Sequence, residues 1–219
     1  MERRRFVILF CCTRLRGQQD IVRENLKMIY RKLHDDGLET VRYAKTKEMN
    51  PMHNDPERPN VTGGLSIRFA RENELERVNE LRKQVNDLHV AGRPDVFKPG
   101  FCEELRDYIY VIWEDPQKKI LVAEMNGAIC GFAVLNHIIR PENPFMFERD
   151  FLDVDEFAVD ASCRRHGIAT AMIRFIQSYA RENGFRRLEL NMWEFNQDAL
   201  AFYEAVGFIT YRRYMEIRL

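Results

Sequence analysis

The sequence has 219 residues, enough for one large domain, or for a domain of about 150 residues with an extension. Lysine plus arginine (34) equals aspartate plus glutamate (34), so the chain lacks the overall basic charge that non-specific nucleic-acid binding requires. A hydrophobic content of 45% with 31% charged residues is typical of a folded, soluble protein. We therefore expect a soluble protein that does not bind nucleic acid.

The five cysteines are odd in number and show no CxxC spacing, which argues against a disulfide framework and a zinc site. We expect free thiols in a reducing compartment and no bound metal. The apolar run at residues 6–12 is short, and no other stretch approaches the roughly 20 apolar residues that span a bilayer. These features predict a cytoplasmic protein with no membrane contact.

Residues 1–64 are predicted to form an N-terminal extension. The apolar run at 6–12 resembles a strand, residues 20–36 have helical spacing, and residues 46–64 form a linker or surface loop rich in proline and asparagine. One strand and one helix are too little to fold alone. We expect this part to pack on the main domain, to mediate association or to be partly disordered, and a homodimer is left open.

From residue 65 onward, strand and helix patterns alternate as in α/β or α+β domains. The dipeptide Asn126-Gly127 predicts a hairpin. The predicted strands are 65–70, 119–125, 128–137, 151–159, 187–193 and 208–219. The predicted helices are 72–88, 102–113, 167–183 and 198–206, with Asn196 as N-cap of the last.

The turn CRRHGIATAM at residues 163–172 links a predicted strand to a predicted helix. Such a turn leaves backbone N–H groups at the helix N-terminus, where they bind anions such as phosphate, and Arg164 and Arg165 add positive charge. A solvated turn is the alternative. The P-loop and dinucleotide motifs are absent, which disfavours nucleotide hydrolysis and hydride transfer.

The turn resembles the acyl-CoA pyrophosphate signature [Q/R]xxGx[G/A] of the GNAT superfamily of N-acetyltransferases, with Ala169 where many members have a second glycine. A second family motif, NxxAxxFYxxxGF, runs from Asn196 to Phe208. The resemblance covers residues 65–219, and residues 1–64 lie outside it. It implies an α+β, GNAT-type fold: a mixed, mostly antiparallel sheet with helices on both faces and splayed central strands 4 and 5.

The resemblance also implies a reaction. An acetyl group would pass from acetyl-CoA to a primary amine by direct attack in a ternary complex, with no covalent enzyme intermediate and no metal. The backbone N–H groups of the turn would hold the pyrophosphate, and the strand before it would pair with the pantetheine arm. The expected cofactor-binding residues are Phe157, Ala158, Val159, Arg164, Arg165, His166, Gly167, Ile168, Ala169, Thr170 and Asn196.

Tyr203 occupies the position where the superfamily often has a general acid beside the CoA sulfur, and the intrinsic pKa values of a phenol and a thiol lie within about two units. Asp153, Asp155 and Glu156 crowd one strand. Ideal alternation places the two aspartates on one face, but a bulge would change that parity. We expect the base to be Asp155 or Glu156, with a structural ion pair as the alternative.

The same acids favour a cationic acceptor, either a small molecule or a peptide or protein amine. The loops 89–101 and 140–150 are predicted to frame the acceptor pocket, and Glu124, Asn136, His137 and Trp193 are candidates to line it. The alternative function is a non-catalytic acyl-CoA-binding regulatory module.

Overall fold

The computed structural model describes residues 9–10 and 64–219, which form a six-stranded sheet with helices on both faces. The strands are β1 (Leu9–Phe10), β2 (Leu65–Phe69), β3 (Lys118–Met125), β4 (Ala128–Arg140), β5 (Arg149–Val159) and β6 (Leu188–Leu190). The helices are α1 (Leu75–Gly92), α2 (Glu103–Glu114), α3 (Ile168–Glu182) and α4 (Gln197–Ala205). The predicted helix at residues 20–36 lies outside the described residues.

The sheet is mixed and mostly antiparallel, as predicted. Its strands run in the order β1-β5-β4-β3-β2 through antiparallel pairs, and β6 pairs parallel with β5. The predicted hairpin joins β3 to β4, where Asn126 (φ 53°) and Gly127 (φ 80°) both adopt positive φ. Positive φ at both central residues is the requirement of a type I′ turn, which explains the Asn-Gly dipeptide.

The two faces of the sheet are covered by different helices. On one face, α1 and α2 bury apolar side chains such as Val78 and Ile109 against Val134 and Ala158. On the other face, Phe157 lies 6.4 Å from the ring of Phe202 on α4. Because Phe157 and Ala158 are adjacent in β5, their side chains point to opposite faces, as strand alternation requires.

The edge of β5 that does not pair with β4 changes its partner strand midway along its length. β6 pairs only with residues 152–154, whereas β1 pairs with Glu156 and Phe157. Since β4 occupies the other edge of β5, β1 and β6 share one edge, and the pairing of β5 with β6 ends at Val154. The predicted splay between the fourth and fifth strands of the domain is therefore confirmed.

The predicted final strand at residues 208–219 is wrong: the structure gives this segment neither strand nor helix. Side chains fix it instead, because the Tyr211 hydroxyl donates to Glu189 at 2.7 Å and Arg93 pairs with Glu216 at 3.1 Å. Its alternating apolar side chains, including Met215, are exposed. The period-2 pattern is present, but no strand pairing accompanies it.

Candidate active site

The turn between β5 and α3 has a left-handed backbone at two positions. Arg165 has φ 65° and Gly167, the residue that caps α3, has φ 75°. A Cβ at Gly167 would meet nothing within 4 Å, so the space in front of this backbone is open. Positive φ favours glycine because other residues incur a steric cost there, and the glycine also exposes its amide to an incoming group.

The first turn of α3 presents backbone N–H groups to this open space. Within the described part of the chain, the N–H groups of Gly167 to Thr170 donate to no backbone carbonyl; the ladder starts with Ala171, which donates to Gly167 at 2.9 Å. Arg165 is exposed beside these groups, whereas the half-buried Arg164 turns back and donates to the Val159 carbonyl at 3.3 Å. Together with the helix dipole, this geometry suits an anion.

A buried carboxylate fixes the start of the turn. Asp160 accepts hydrogen bonds from the Ser162 amide at 2.9 Å and from Arg77 on α1 at 2.5 Å. Burial opposes ionisation of Asp160, but the bonds from Ser162, Arg77 and Gln84 outweigh it and lower its pKa to about 2. The turn is therefore tied to α1 as well as to β5.

A bulge in β5 places two of its carboxylates on one face. Leu135 pairs with Val154 and Val134 with Glu156, so the register skips Asp155. Asp153 pairs with Asn136, two residues from Val134 on β4. Residues two apart in a strand share a face, and Asp153 and Glu156 therefore lie on the same face, which α1 and α2 cover.

Glu156 is held in a buried ion pair. Arg82 of α1 donates to it through Nε at 2.8 Å and through Nη2 at 3.2 Å, and both side chains are 5% exposed. The remaining guanidinium nitrogen donates to Asn79 at 3.0 Å and to the Leu105 carbonyl at 2.6 Å. Breaking a buried pair of this kind is strongly destabilising. This geometry favours the structural alternative for Glu156 over the role of base.

Asp153 and Asp155 lie close to one another, and both are buried, with 8% and 6% exposed. Burial raises the pKa of Asp153 to about 7, and the charges of Asp155 and Glu189 act in the same direction. Lys118 and Arg140 oppose the shift. Asp153 therefore has the pKa expected of a general base that operates near neutral pH.

Tyr203 lies on α4 and Asn196 precedes its first residue, and both side chains are buried. The ring of Tyr203 packs against that of Phe208, with centroids 5.4 Å apart. The backbone carbonyl of Tyr203 accepts a hydrogen bond from the Phe208 amide at 2.9 Å. Asn196 is the N-cap of α4, as predicted, and its side-chain oxygen accepts from the Ala199 amide at 3.2 Å. The second family motif therefore positions Tyr203 through the start and the end of its helix.

The other candidate lining residues are dispersed. Asn136 lies directly opposite Asp153, but Glu124 pairs with Arg68 at 2.6 Å near the far end of β3. His137 bonds Asp150 at 2.8 Å, and Trp193 packs against Phe97 with ring centroids 5.3 Å apart. We call Asp153, Asp155 and Glu156 the acid cluster. Of these candidates, only Asn136 pairs with a member of it in the strand register.

The loop at residues 140–150 borders a cavity of about 570 Å³ with residues from the chain just after α3. The turn between β5 and α3 lies at the opposite end of α3, which is ~22 Å long for 15 residues. Phe145 and Phe147 of the loop are largely exposed. This cavity therefore lies apart from the turn.

Sequence reasoning missed Arg82 and Lys118, the two cations beside the acid cluster. Arg82 stands on the apolar face of its helix, between Leu81 and Val85, and a charge in that position is a usable signal of a buried ion pair. Lys118 begins β3 and carries no such signal, because a lysine at a strand end is ordinarily solvated.

Two features are absent from residues 9–10 and 64–219. No group of three or more His, Cys, Asp or Glu side chains there could hold a metal ion, and no helix there is long and apolar enough to cross a membrane. Within the same residues, Cys102, Cys130 and Cys163 are free thiols.

Comparison with known proteins identifies the family. The model of the acetyltransferase (GNAT) family matches residues 82–208, which is more than half of the chain. An uncharacterized N-acetyltransferase of Methanocaldococcus jannaschii is 31% identical over 105 residues, 47% of this chain and 44% of the relative. This chain thus matches less than half the length of that curated relative.

Solved structures share the fold. A mutant of the Bacillus halodurans protein BH1408 is 27% identical and has a TM-score of 0.67, covering 70% of this chain and 98% of its own. The aminoglycoside N-acetyltransferase AAC(6′)-Iy, solved with CoA, is 20% identical with a TM-score of 0.56, covering 73% and 97%. At that identity the second likeness concerns the fold alone. The turn, the splayed strands and the family match lead to one conclusion: the chain belongs to the acetyltransferase (GNAT) family.

Proposed function

We propose that the protein transfers an acetyl group from acetyl-CoA to a primary amine by direct attack in a ternary complex. The observation that carries this proposal is the junction of β5 and α3, where an open left-handed turn adjoins a strand edge that has parted from β6. A pyrophosphate with an extended amide-bearing arm needs anion-binding amides and a strand edge to pair with, and the arm would take the place of β1 on this edge.

The turn suits the pyrophosphate of the co-substrate. The backbone N–H groups of residues 165–170 would donate to its oxygens, and the exposed Arg165 would add a charge-assisted contact. His166, whose Nδ1 lies 3.2 Å from the Cys163 carbonyl, borders the turn. Ile168 is buried beneath it and anchors the helix to the core.

The edge of β5 at Phe157, Ala158 and Val159 would pair with the pantetheine arm. A backbone N–H of this edge would also polarise the thioester carbonyl as it becomes an oxyanion. Because β1 pairs with Glu156 and Phe157, residues 9–10 cover part of this edge. Acetyl-CoA binding in the proposed pose requires that they leave it.

Asp153 is our choice for the general base, in place of the expected Asp155 or Glu156. An acceptor arrives as an ammonium and must lose a proton before it can attack the thioester. Asp153 is about half ionised near its pKa of about 7, whereas Glu156 is engaged by Arg82. Asp155 lies beside it, and its negative charge disfavours the ionisation of Asp153.

Tyr203 would protonate the leaving CoA thiolate. Two observations support this role: Tyr203 belongs to the FYxxxGF motif, and its side chain is buried in the last turn of α4. Asn196 would contact the cofactor arm through the part of its side chain that does not cap α4. The acceptor is proposed to be a cationic amine, a small molecule or a peptide or protein amine. Homodimer formation and a cytoplasmic location stay predictions.

A thiol-release assay with acetyl-CoA against polyamines, aminoglycosides and peptide amines tests this function. We expect turnover with at least one cationic amine, and a loss of about 10²-fold or more in Tyr203→Phe. Tyr214→Phe is a matched control, since it also removes one phenol hydroxyl, from an exposed ring. Acetyl-CoA binding without turnover on any amine would instead support a non-catalytic acyl-CoA-binding regulatory module.

A further inference from the structure

Four polar residues form a row across the middle of the sheet. In the strand register Lys118 of β3 lies opposite Asn136 of β4, Asn136 opposite Asp153 of β5, and Asp153 opposite Glu189 of β6. Directly opposed residues share a face, so these side chains are neighbours. The adjacent row begins with Lys119 and continues with the apolar residues Leu135, Val154 and Leu190, so only the first row carries polar side chains on all four strands.

Lys118 brings the cation of this row. It is half-buried, and its ammonium lies 5.7 Å from the ring centroid of Tyr108 on α2. Burial works against the charged form, but Tyr108, Asp155 and Asp115 more than offset it, so the pKa of Lys118 is raised. The ammonium is therefore charged at neutral pH in the neighbourhood of Asp155.

Every element around Asp153 contributes a charge. Asp155 lies on its own strand and Glu189 on β6, and both disfavour its ionisation. Arg140 at the end of β4 and Lys118 on β3 favour it. On the helical side the Arg82 guanidinium is committed to Glu156, and Tyr108 faces Lys118.

Arg82 and Lys118 act on different acids of this strand. Arg82 neutralises Glu156 through two hydrogen bonds. Lys118 interacts with the charge of Asp155. Asp155 and Glu189 oppose the ionisation of Asp153, so a cation in the same row favours it.

We propose that Lys118 is a positioning residue for the base: from its place in the row of Asp153, its ammonium offsets the negative charges of Asp155 and Glu189, and Asp153 can therefore ionise beside them at neutral pH. This inference rests on the proposed function, because it assigns Lys118 a task in preparing Asp153 for catalysis. Lys118 itself touches neither the acetyl group nor the amine in this scheme.

The pH dependence of kcat/KM tests the inference. Lys118→Met removes the charge, and we expect the acidic limb of the profile to move to higher pH by roughly a few tenths of a pH unit while the plateau at high pH is retained. Lys118→Arg should keep the limb in place. Lys119→Met is the matched control. It removes the ammonium of the next residue, which lies over the Phe69 ring and not over the Tyr108 ring.

NMR titration of the aspartate carboxyl carbons reads out the same effect without turnover. Asp153→Asn identifies the resonance, and its midpoint should be higher in Lys118→Met than in the wild type. If Lys118→Met does not fold, Lys118→Gln takes its place. An unchanged midpoint overturns the role of Lys118 whether or not an acceptor has been found. Full activity in Asp153→Asn would overturn the assignment of the base, a separate failure.

Discussion

Replacing Asp153 by asparagine should stabilise the protein and inactivate it at the same time. Burial, with help from Asp155 and Glu189, raises the pKa of this carboxyl from 3.8 to about 7. A pKa difference of that size corresponds to about 4 kcal/mol against the ionised form in the folded state. Asparagine has nearly the same shape and cannot ionise, so it removes this cost.

The sign follows from proton linkage. The folded-state pKa of Asp153 lies above the unfolded value, so the folded protein retains a proton between pH 3.8 and pH 7 that the unfolded chain releases. Stability is therefore lost as pH rises through this window, and the loss is complete above it. The advantage of Asp153→Asn should accordingly be larger at pH 8 than at pH 5.

Thermal denaturation at pH 5 and pH 8 measures this difference. A gain of a few kcal/mol at pH 8 should raise Tm by roughly 5–15 °C, given 2–4 °C per kcal/mol for a chain of this size. Asp150→Asn is the matched control on the same strand, since that carboxylate is half-exposed and pairs with His137 at the surface. Its Tm should change little at either pH.

Activity supplies the second readout. Loss of a general base should lower kcat/KM by about 10²–10⁴-fold. In the wild type, kcat/KM should rise about tenfold between pH 6 and pH 8, as the ionised fraction of a group with a pKa of about 7 increases. An Asp153→Asn variant that is less stable at pH 8, or that retains wild-type activity, would refute the reasoning.

Three further perturbations follow from the site. Arg82→Met should cost about 3–5 kcal/mol in chemical denaturation, and adding Glu156→Gln should recover part of it; full additivity of the two losses would contradict the ion pair. Gly167→Asp should weaken acetyl-CoA binding at least tenfold by calorimetry, whereas Gly127→Asp, with equal positive φ and open space, should cost similar stability and leave affinity unchanged. Removing residues 1–12 should tighten acetyl-CoA binding by freeing the β5 edge, and an unchanged Kd would show that β1 does not compete.

Local signals predicted most of the fold. Helical periodicity located α1 to α4 to within a few residues, and the Asn126-Gly127 turn located the hairpin. The strand at residues 208–219 failed for a physical reason: alternation specifies which side chains share a face, but a strand also needs a neighbouring backbone, and sequence does not supply one.

The acid cluster was only partly predictable. Without irregularities, the hairpin turn would set Lys118 opposite Leu135, but a register shift between Ala123 and Glu124 sets it opposite Asn136. A second bulge, at Asp155, brings Glu156 to the face of Asp153. A one-residue shift reverses the face of every later side chain. The neighbours of Asp153 therefore depend on two bulges, and no local sequence motif predicts where those bulges occur.

Product analysis by mass spectrometry tests the central claim most directly. The protein is incubated with acetyl-CoA and the amine that gives the fastest thiol release. The masses of the acceptor and of the intact protein are then measured. Direct transfer predicts an acetylated amine and free CoA in equal amounts, with no acetylated protein accumulating even when the amine is withheld. Stoichiometric acetylation of the protein, or CoA release without an acetylated amine, would contradict the account.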